Sequence, residues 1–265
     1  MPKKLLLIGA TGRLGSQLRG SLSGSWDILS LSRTGKDGTG KCDLLLQKDI
    51  EQLREAIRGC QAVVNCAAVS SPAICRYHPM EAWQLNLLWP LHLSRLCRRM
   101  TVKLVHFSSD LVYSGANPPY TETSPAVPLS YYGWTKLIAD ELVLRECPEA
   151  LVIRTSVICG AVPSHRSTFS EEILSGTIRK VFVNNWRNHT PGEWLSGLVP
   201  NLLADGEKGL VTASGRYSLS RSAYAEALLR KHGESAEQLE QAYAPKGIPT
   251  VLDLRGRFRS KSVFS

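Results

Sequence analysis

Short apolar runs alternate with amphipathic segments over the first 160 residues of the chain. The apolar runs have the length of strands buried on both faces of a sheet, and they lie at Leu5–Ile8, Ile28–Leu31, Ala62–Val64, Val102–Phe107 and Leu151–Ile153. The intervening segments have a helical period and lie near Leu14–Leu22, Ile50–Arg58, Met80–Arg99 and Tyr131–Arg145. This alternation predicts an α/β fold, a doubly wound (Rossmann) parallel sheet covered by helices on both faces.

The pattern becomes weaker after residue 160. The stretch "GAVPSHRSTFSEEILSG" at 160–176 predicts a loop and then a short helix, and "RKVFVNNW" at 179–186 predicts a strand. Further segments predict helices near Glu193–Leu203 and Ser220–Lys231 and a strand near Gly209–Ala213. We therefore predict a dinucleotide-binding Rossmann domain at 1–160, with a return strand near 209–214, and a smaller C-terminal substrate-binding lobe at 161–265.

Composition narrows the class of protein. The 265 residues are 43% hydrophobic and 21% charged, as in soluble globular proteins. The apolar run at the start stops at Gly9, which is too short for a signal peptide, and no stretch approaches the roughly 18 to 20 apolar residues of a spanning helix. The seven cysteines are odd in number and include no CxxC pair. These features predict a cytoplasmic protein with reduced thiols, no membrane association and no metal site.

The net charge of +9 raises the question of nucleic-acid binding. The basic residues are scattered, however, with local clusters only at Arg95–Arg99 and Arg255–Lys261 and no basic-aromatic stripe. A preference for anionic small molecules such as nucleotides explains the sign equally well. We therefore predict a small-molecule partner and no nucleic acid.

Three glycines follow the first predicted strand in "LLLIGATGRLGSQL". Gly9 permits a tight turn, Gly12 lets the backbone approach a pyrophosphate, and Gly15 lets the helix pack closely on the strand. The N-terminus of that helix attracts the phosphate charge. A glycine-rich turn without a ligand is the alternative, but the strand, loop and helix have the required order. The predicted cofactor-binding residues are Gly9, Thr11, Gly12, Arg13, Leu14 and Gly15.

The end of the second strand indicates which cofactor the loop binds. An NAD-selective site has an acidic residue about 20 residues past the glycines, whereas this chain has Ser32 and Arg33 there. Arginine holds a 2′-phosphate through paired hydrogen bonds, so we predict NADPH. NADH is the alternative if Asp37 folds back to serve as the acid. Asp43 and Leu44 are also predicted at the cofactor, where Asp43 either holds the adenine edge or caps the next helix.

Two serines and a Tyr–Lys pair supply the candidate reacting groups. The strand in "LVHFSSDLVYSG" ends at Ser108 and Ser109, and ligands of a doubly wound sheet lie beyond the carboxyl ends of its strands. Tyr132 and Lys136 are four apart on a predicted helix that Ser130 can cap, so they share one face. A lysine cation there, helped by oxidised nicotinamide, would lower the tyrosine pKa from about 10 toward neutral pH. We predict Tyr132 as the proton donor in carbonyl reduction, with a serine hydroxyl holding the substrate oxygen.

These motifs resemble the extended short-chain dehydrogenase/reductase superfamily and, within it, the dTDP-4-dehydrorhamnose reductase family. "FSSDLVYSG" is similar to that family's strand ending in Ser-Thr-Asp. "PYTETSPAVPLSYYGWTKLIADE" is similar to its Tyr-x-x-x-Lys stretch, and "VIRTSVICG" to its Arg-Thr-Ser strand. The resemblance implies that Ser109 takes the place of the family's catalytic threonine, beside Tyr132 and Lys136.

The stretch "VVNCAA" at 63–68 ends a strand with an asparagine and small residues, which suits a backbone close to the cofactor or a plain strand end. The resemblance implies that Asn65, Ala67 and Ala68 lie at the cofactor-side end of the strand and that Asn86 lies on a helix near the active site. The predicted cofactor-binding residues of this part of the chain are Cys66, Ala67, Ala68, Asn86, Tyr132 and Lys136. It also implies NADPH- or NADH-dependent reduction of a keto group on a nucleotide-linked deoxysugar. The expected substrate is an anionic nucleotide-sugar, and the expected assembly, if the chain associates, is a homodimer.

The chain departs from the family on the substrate side. Val157 stands where the family has tryptophan, and Thr190-Pro191 stands where it has Pro-Thr. Two other functions remain open. One is an epimerase or dehydratase of the same superfamily, which is disfavoured because Leu111 rather than Glu follows Asp110; the other is a non-catalytic NADP-binding regulatory subunit, like that of methionine adenosyltransferase. The candidate substrate-side residues, each equally a loop or packing residue, are Arg154, His165, Arg166, Trp186, Arg187 and Trp194.

Overall fold

The computed structural model describes residues 3–160 and 167–261. Its strands are β1 (Lys4–Ile8), β2 (Asp27–Ser32), β3 (Gly40–Lys41), β4 (Ala62–Asn65), β5 (Lys103–Ser109), β6 (Leu151–Thr155), β7 (Ile158–Cys159), β8 (Lys180–Phe182), β9 (Trp186–Asn188), β10 (Thr190–Pro191), β11 (Gly209–Ser214), β12 (Ser218–Ser220), β13 (Glu240–Ala242), β14 (Val251–Leu252) and β15 (Phe258–Arg259). Eight of them form one parallel sheet in the order β15-β11-β6-β5-β4-β1-β2-β3. The predicted doubly wound α/β fold is confirmed.

Most helices lie close to the predicted segments, but the one at Pro72–Tyr77 was not predicted. They are α1 (Arg13–Leu22), α2 (Gln47–Ile57), α3 (Pro72–Tyr77), α4 (Pro79–Trp83), α5 (Trp89–Met100), α6 (Tyr131–Glu146), α7 (Phe169–Leu174), α8 (Gly192–Ala204) and α9 (Arg221–Lys231). A 3₁₀ turn over Asp110–Val112 follows β5. The Ser130 hydroxyl accepts a hydrogen bond from Gly133 N at 3.1 Å, which confirms the predicted cap of α6.

The segment predicted as one helix over Met80–Arg99 is interrupted. Residues Gln84–Leu88 form a π-helical turn between α4 and α5, in which Trp89 N donates to Gln84 O. Pro90 explains the interruption, because proline has no N–H for the carbonyl four residues earlier and its ring clashes with that carbonyl. The wider π turn accommodates both effects. The prediction of one continuous helix is therefore wrong.

The core lies on both faces of the sheet. Leu5 and Leu7 of β1 face the layer formed by α1 and α8, while Leu6 and Ile8 face the layer formed by α2 and α5. All four side chains are buried, and each contributes roughly 1.5–3 kcal/mol through removal from water. Burial on both faces is why the parallel strands appear in the sequence as continuous apolar runs.

The second lobe has a smaller core between α7 and α9, formed by Phe169, Ile173, Tyr224 and Leu228 among others. Two-stranded pairs β7–β10 and β8–β13 and the three-stranded sheet β12-β9-β14 complete it. The chain returns from this lobe to the main sheet twice, because β11 pairs with β6 and β15 pairs with β11, both in parallel. The second lobe is therefore joined to the sheet by several chain crossings.

The strand predicted over 179–186 is divided into β8 and β9 by two asparagines. The Asn184 side chain accepts a hydrogen bond from Ala244 N at 2.7 Å, and the Asn185 side chain donates one to Pro249 O at 2.7 Å. These contacts bind the C-terminal segment and end β8. Across residues 3–160 and 167–261, no helix has the length and apolarity to cross a membrane.

Candidate active site

The glycine loop lies where β1 ends and α1 begins. Gly9 has a φ of +80°, which favours glycine, and a Cβ there would lie 2.8 Å from Ala67 N. A Cβ on Gly15 would lie 2.2 Å from Gly9 O, so no other residue allows α1 to sit this close to the strand end. A Cβ on Gly12 would lie 3.2 Å from Gly9 O, tight against the turn. The three glycines occupy the positions that the sequence predicted for them.

The N-terminus of α1 has the features of an anion site. Gly12 is its N-cap, no side chain caps it, and its first turn contains no acidic residue. The backbone amides and the helix dipole therefore present positive charge at the loop. Leu14 lies behind this surface, because its side chain is buried in the core with Leu18 and Leu22. Only the backbone of Leu14 could meet a ligand at the loop.

The segment after β4 lies against the glycine loop. Cys66 N donates to Ile8 O at 2.9 Å, and Ala67 N donates to Asn65 Oδ1 at 3.3 Å. The collision of a Gly9 Cβ with Ala67 N shows how close the two segments are. The structure therefore brings Cys66 and Ala67 to the loop, and the contact of Ala68 with the cofactor stays a prediction.

Arg33 is an exposed cation that directly follows β2. Ser32 is buried, and its Oγ atom lies 2.6 Å from Thr39 Oγ1 and accepts from Gly35 N at 3.0 Å, so this hydroxyl holds its own loop. The Arg33 side chain is 58% exposed, and its Nη1 lies 3.2 Å from Glu81 Oε1. An exposed pair of this kind contributes about 0–1 kcal/mol. Arg33 is therefore available to an incoming phosphate.

The Asp43 carboxylate does not cap the next helix. It accepts from Leu45 N at 3.1 Å, and Leu46 is the N-cap of α2. Leu44 is buried in the core. The alternative in which Asp43 is the helix cap is excluded, and its interaction with adenine stays a prediction.

Ser109 and Tyr132 meet at the end of β5. The Tyr132 side chain is buried against Leu111, and the Ser109 side chain lies close enough to influence the pKa of the phenol. Ser109 Oγ also donates to Asp110 Oδ1 at 3.3 Å. Ser108 faces elsewhere, because its Oγ donates to Asp140 Oδ2 at 2.9 Å. Of the two candidate serines, the structure therefore places Ser109 beside the phenol.

The pKa of Tyr132 is raised above its usual value. Burial is the largest cause, and the Asp110 carboxylate adds to it, while the neighbouring Ser109 side chain and the Arg187 guanidinium oppose it. The main causes of this pKa shift among the described residues do not include the Lys136 ammonium. The lowered tyrosine pKa that the sequence predicted is not what this structure shows. A raised pKa keeps the phenol protonated at neutral pH.

Lys136 is held in the interior below the helix. Its Nζ donates to Phe107 O at 2.7 Å and lies 3.1 Å from His106 Nε2. Burial lowers the pKa of Lys136 to about 8, although the Asp140 carboxylate opposes this shift. The side chain is 1% exposed. Lys136 therefore lies on the same helix face as Tyr132 but is bonded to β5.

Asn86 lies in the π turn and binds the chain beside it. Its Oδ1 accepts from Val69 N at 2.8 Å, and its Nδ2 donates to Val69 O at 3.1 Å and to Thr135 Oγ1 at 3.3 Å. These bonds fasten the segment after β4 to α6. Contact of Asn86 with the cofactor stays a prediction.

A buried ion pair joins the main sheet to the second lobe beside Tyr132. Arg187 of β9 donates from Nε to Asp110 Oδ2 at 2.8 Å and from Nη2 to Asp110 Oδ1 at 2.5 Å. Ser156 Oγ donates to the same carboxylate. Asp110 is completely buried, so this paired geometry compensates its charge. The sequence analysis did not predict this ion pair. It named Arg187 as one of six substrate-side candidates and assigned no structural role to Asp110.

The other substrate-side candidates are dispersed. Arg154 is buried and donates to Asp140 Oδ2 at 3.0 Å and to Tyr113 Oη at 2.9 Å, which supports a structural role. Trp186 is 41% exposed and lines a surface groove, and Trp194 is half-buried against the core. His165 and Arg166 lie outside the described residues.

Comparison with known proteins identifies the family. The family model of the RmlD substrate binding domain matches residues 3–251. The chain belongs to this family. The match confirms the resemblance inferred from the glycine loop and the Tyr-x-x-x-Lys motif.

The chain is similar to curated proteins with two different names. The chain is 31% identical over 169 residues to methionine adenosyltransferase 2 subunit beta of Danio rerio, which covers 60% of the chain and 49% of the relative. It is 32% identical over 160 residues to dTDP-4-dehydrorhamnose reductase of Mycobacterium tuberculosis, which covers 58% of the chain and 50% of the relative. The matched part of the chain thus spans about half the length of these relatives.

Solved structures share the fold at low identity. A dTDP-4-dehydrorhamnose reductase of Bacillus anthracis in complex with NADP has a TM-score of 0.83 at 19% identity and covers 96% of this chain and 90% of that one. A hypothetical dTDP-4-dehydrorhamnose reductase of Sulfolobus tokodaii has a TM-score of 0.84 at 22% identity and covers 99% of both chains. The doubly wound architecture is therefore that of the RmlD substrate binding domain family.

Proposed function

We propose that this protein is an NADPH-dependent reductase of a keto group on a nucleotide-linked deoxysugar. The observation that carries the proposal is the position of the buried Tyr132 side chain beside Ser109 at the end of β5, next to the segment that lies on the glycine loop. A protonated, buried phenol at the carboxyl edge of a doubly wound sheet is placed to act on a ligand there. Similarity to dTDP-4-dehydrorhamnose reductases supports the reaction class.

The residues at the loop fit a dinucleotide. The uncapped N-terminus of α1 would hold the pyrophosphate, Gly9 and Gly12 leave the room that a Cβ would fill, and Arg33 would bind the 2′-phosphate. When bound, NADPH supplies a hydride for the carbonyl carbon. The relative solved with NADP supports this choice of cofactor.

Tyr132 would supply the proton. Its raised pKa keeps the phenol protonated at neutral pH, which is the form required to donate to the carbonyl oxygen of a ketone. The Ser109 hydroxyl, which lies beside the phenol, would hold that oxygen in place. Burial excludes water from the phenol, so the proton goes to the substrate oxygen.

The lobe side of the site favours an anionic substrate. Burial and the neighbouring Arg187 guanidinium lower the pKa of Arg221 to about 10, although Asp110 and Glu172 oppose this. Two arginines thus lie close together, and the Asp110 carboxylate is already bonded to one of them. Arg221 also lies over the Phe169 ring at 4.7 Å. This positive charge next to an aromatic face supports binding of a nucleoside diphosphate portion.

The proposal is tested by turnover. Purified protein mixed with NADPH and dTDP-4-dehydrorhamnose is expected to consume NADPH and reduce the sugar ketone in equal amounts. The same mixture without the sugar is the control. Binding of NADPH without any consumption, over a panel of nucleotide-linked keto sugars, would contradict the proposed reaction.

Replacement of Arg33 tests the cofactor assignment. We expect Arg33→Ser to raise the Kd for NADPH about ten- to a hundred-fold, because a charge-assisted hydrogen bond contributes about 1.5–3 kcal/mol. The Kd for NADH should stay within about two-fold, since NADH has no 2′-phosphate. Fluorescence titration of both nucleotides measures the two constants.

Arg58→Ser is the matched control for this titration. Arg58 is also an exposed arginine, 72% exposed and 3.0 Å from Glu55, but it lies at the far end of α2. Its replacement should leave both constants unchanged. Equal loss of NADPH affinity in the two variants would assign the effect to net charge rather than to a 2′-phosphate site.

A non-catalytic nucleotide-binding subunit is the second candidate. Similarity to methionine adenosyltransferase 2 subunit beta favours it, as does the bonding of Lys136 to β5 instead of to Tyr132. It predicts co-elution with a methionine adenosyltransferase catalytic chain and no turnover of any keto sugar. Turnover that is lost on replacement of Tyr132 would exclude it.

A further inference from the structure

A series of hydrogen bonds runs below α6 through side chains that the proposed reaction does not use. His106 of β5 is buried, and its neighbour across the sheet is Asn65 of β4. Asn65 Nδ2 lies 3.1 Å from His106 Nδ1, and His106 Nε2 lies 3.1 Å from Lys136 Nζ. His106 therefore connects Asn65 to Lys136.

Two donors determine the orientation of the Asn65 amide. Asn65 Oδ1 lies 3.3 Å from Trp89 Nε1 and 3.3 Å from Ala67 N. Indole and backbone N–H groups only donate, so Oδ1 accepts both bonds and Nδ2 faces His106 as a donor. His106 Nδ1 must then accept. A neutral imidazole has one N–H, which consequently lies on Nε2.

The ring is neutral at physiological pH. Burial, the largest cause, lowers the pKa of His106 well below its usual value. The Nε2–H group of this tautomer points to Lys136 Nζ. An ammonium there would put two donors 3.1 Å apart, whereas a neutral amine offers a lone pair to Nε2–H and still donates to Phe107 O.

The other groups around Lys136 do not reverse the preference for the neutral amine. Asp140, on the same helix, favours the ammonium, but its carboxylate is bonded to Arg154 at 3.0 Å. The thiols of Cys66 and Cys75 also face Lys136. Burial raises the pKa of both thiols, to about 11 for Cys75, so they are neutral near pH 8. Asp140 is thus the one charged neighbour among these groups.

We propose that His106 is a positioning residue that favours the neutral amine form of Lys136, through a tautomer that Asn65 and Trp89 determine. This inference deepens the proposed function, on which its relevance rests, because the charge on Lys136 is then set by β4 and β5 from below the site. A side chain whose charge changes near neutral pH can accept and release a proton during the reaction.

The test uses the full chain without added nucleotide and measures protonation directly. In ¹⁵N-histidine spectra between pH 7 and 9, we expect the Nε2–H tautomer of His106. In ¹³C-lysine spectra, the Lys136 side chain should titrate near pH 8, well below the value of about 10.4 for free lysine. The lysine signal of Lys103, which lies outside this series of bonds, is the internal control.

Two substitutions separate the tautomer from simple burial. Asn65→Asp keeps the acceptor for Trp89 but requires Nδ1–H on His106, so Nε2 becomes an acceptor for the ammonium. We expect the Lys136 midpoint to rise by about one pH unit or more. The new carboxylate charge contributes to that rise, so His106→Gln is the uncharged counterpart: its Oε1 can accept from the ammonium, and the midpoint should rise there too.

An Nδ1–H tautomer in the unmodified chain would overturn the proposal, as would an unchanged Lys136 midpoint in both folded variants. If Asn65→Asp fails to fold, as judged by circular dichroism, the tautomer of the unmodified chain and the His106→Gln titration still decide. None of these readouts depends on turnover. Failure of the reductase assay would therefore leave the role of His106 intact. Failure of the His106 and Lys136 measurements would likewise leave the proposed reductase function intact.

Discussion

Tyr132→Phe is expected to lower the turnover number for keto-sugar reduction about a thousand-fold. The substitution removes the one hydroxyl proposed to give a proton to the substrate oxygen, and general acid catalysis typically contributes about 10²- to 10⁴-fold. The ring stays in its buried position next to Ser109, so the fold and the Kd for NADPH should change little. Steady-state kinetics and nucleotide titration measure the two effects separately.

Tyr131→Phe is the matched control for this loss. Tyr131 is the adjacent tyrosine, 38% exposed, and its hydroxyl donates to Pro79 O at 3.1 Å. Since it lies one position from the proposed proton donor on α6, its replacement should leave turnover within about two-fold. Equal losses in the two variants, or unchanged turnover in Tyr132→Phe, would exclude the proposed role of Tyr132.

Arg187→Met is expected to lower the free energy of unfolding by about 3–5 kcal/mol, because it leaves the Asp110 carboxylate buried without its cation. Arg187 donates two hydrogen bonds to Asp110, and the two side chains are 7% and 1% exposed. The pair also joins β9 to the end of β5, so loss of stability should be accompanied by looser packing of the second lobe. Urea denaturation measures the change.

Arg257→Met provides the comparison. Arg257 also donates two hydrogen bonds to one carboxylate, that of Glu207, but its side chain is 55% exposed. Water compensates much of that charge when the pair is broken, so the expected loss is about 1 kcal/mol or less. Similar losses for Arg187→Met and Arg257→Met would show that burial does not govern the Asp110 interaction.

Features that depend on near neighbours in the chain were accessible from the sequence. The strand β1, the turn at Gly9 and the start of α1 lie within about twenty residues, and each has a local signature in apolar runs and glycine spacing. The Ser130 cap is local in the same way. The interruption at Gln84–Leu88 also had a visible signal, namely Pro90, which the helical period concealed.

Features that depend on distant contacts were not accessible. The Asp110–Arg187 pair joins residues 77 apart in the chain, and neither neighbourhood contains a pattern that indicates the other. Ser108 and Ser109 both meet side chains of α6, so the selection between them depends on the point along the helix that each one reaches: Ser108 bonds to Asp140, whereas Ser109 lies beside Tyr132, about two helical turns earlier. His106 did have a signal, because a histidine inside the apolar run of β5 is a polar group that requires a buried partner.

The late strands β11 and β15, which complete the main sheet, determine whether the chain can be cut into two fragments. A fragment ending at residue 160 would lack β11 and β15, and the unpaired edge of β6, a strand buried at all five positions, would face water. An open apolar edge of that kind recruits other chains and aggregates. Fusion partners should therefore be inserted in exposed surface turns, so that residues before and after position 160 stay in one polypeptide.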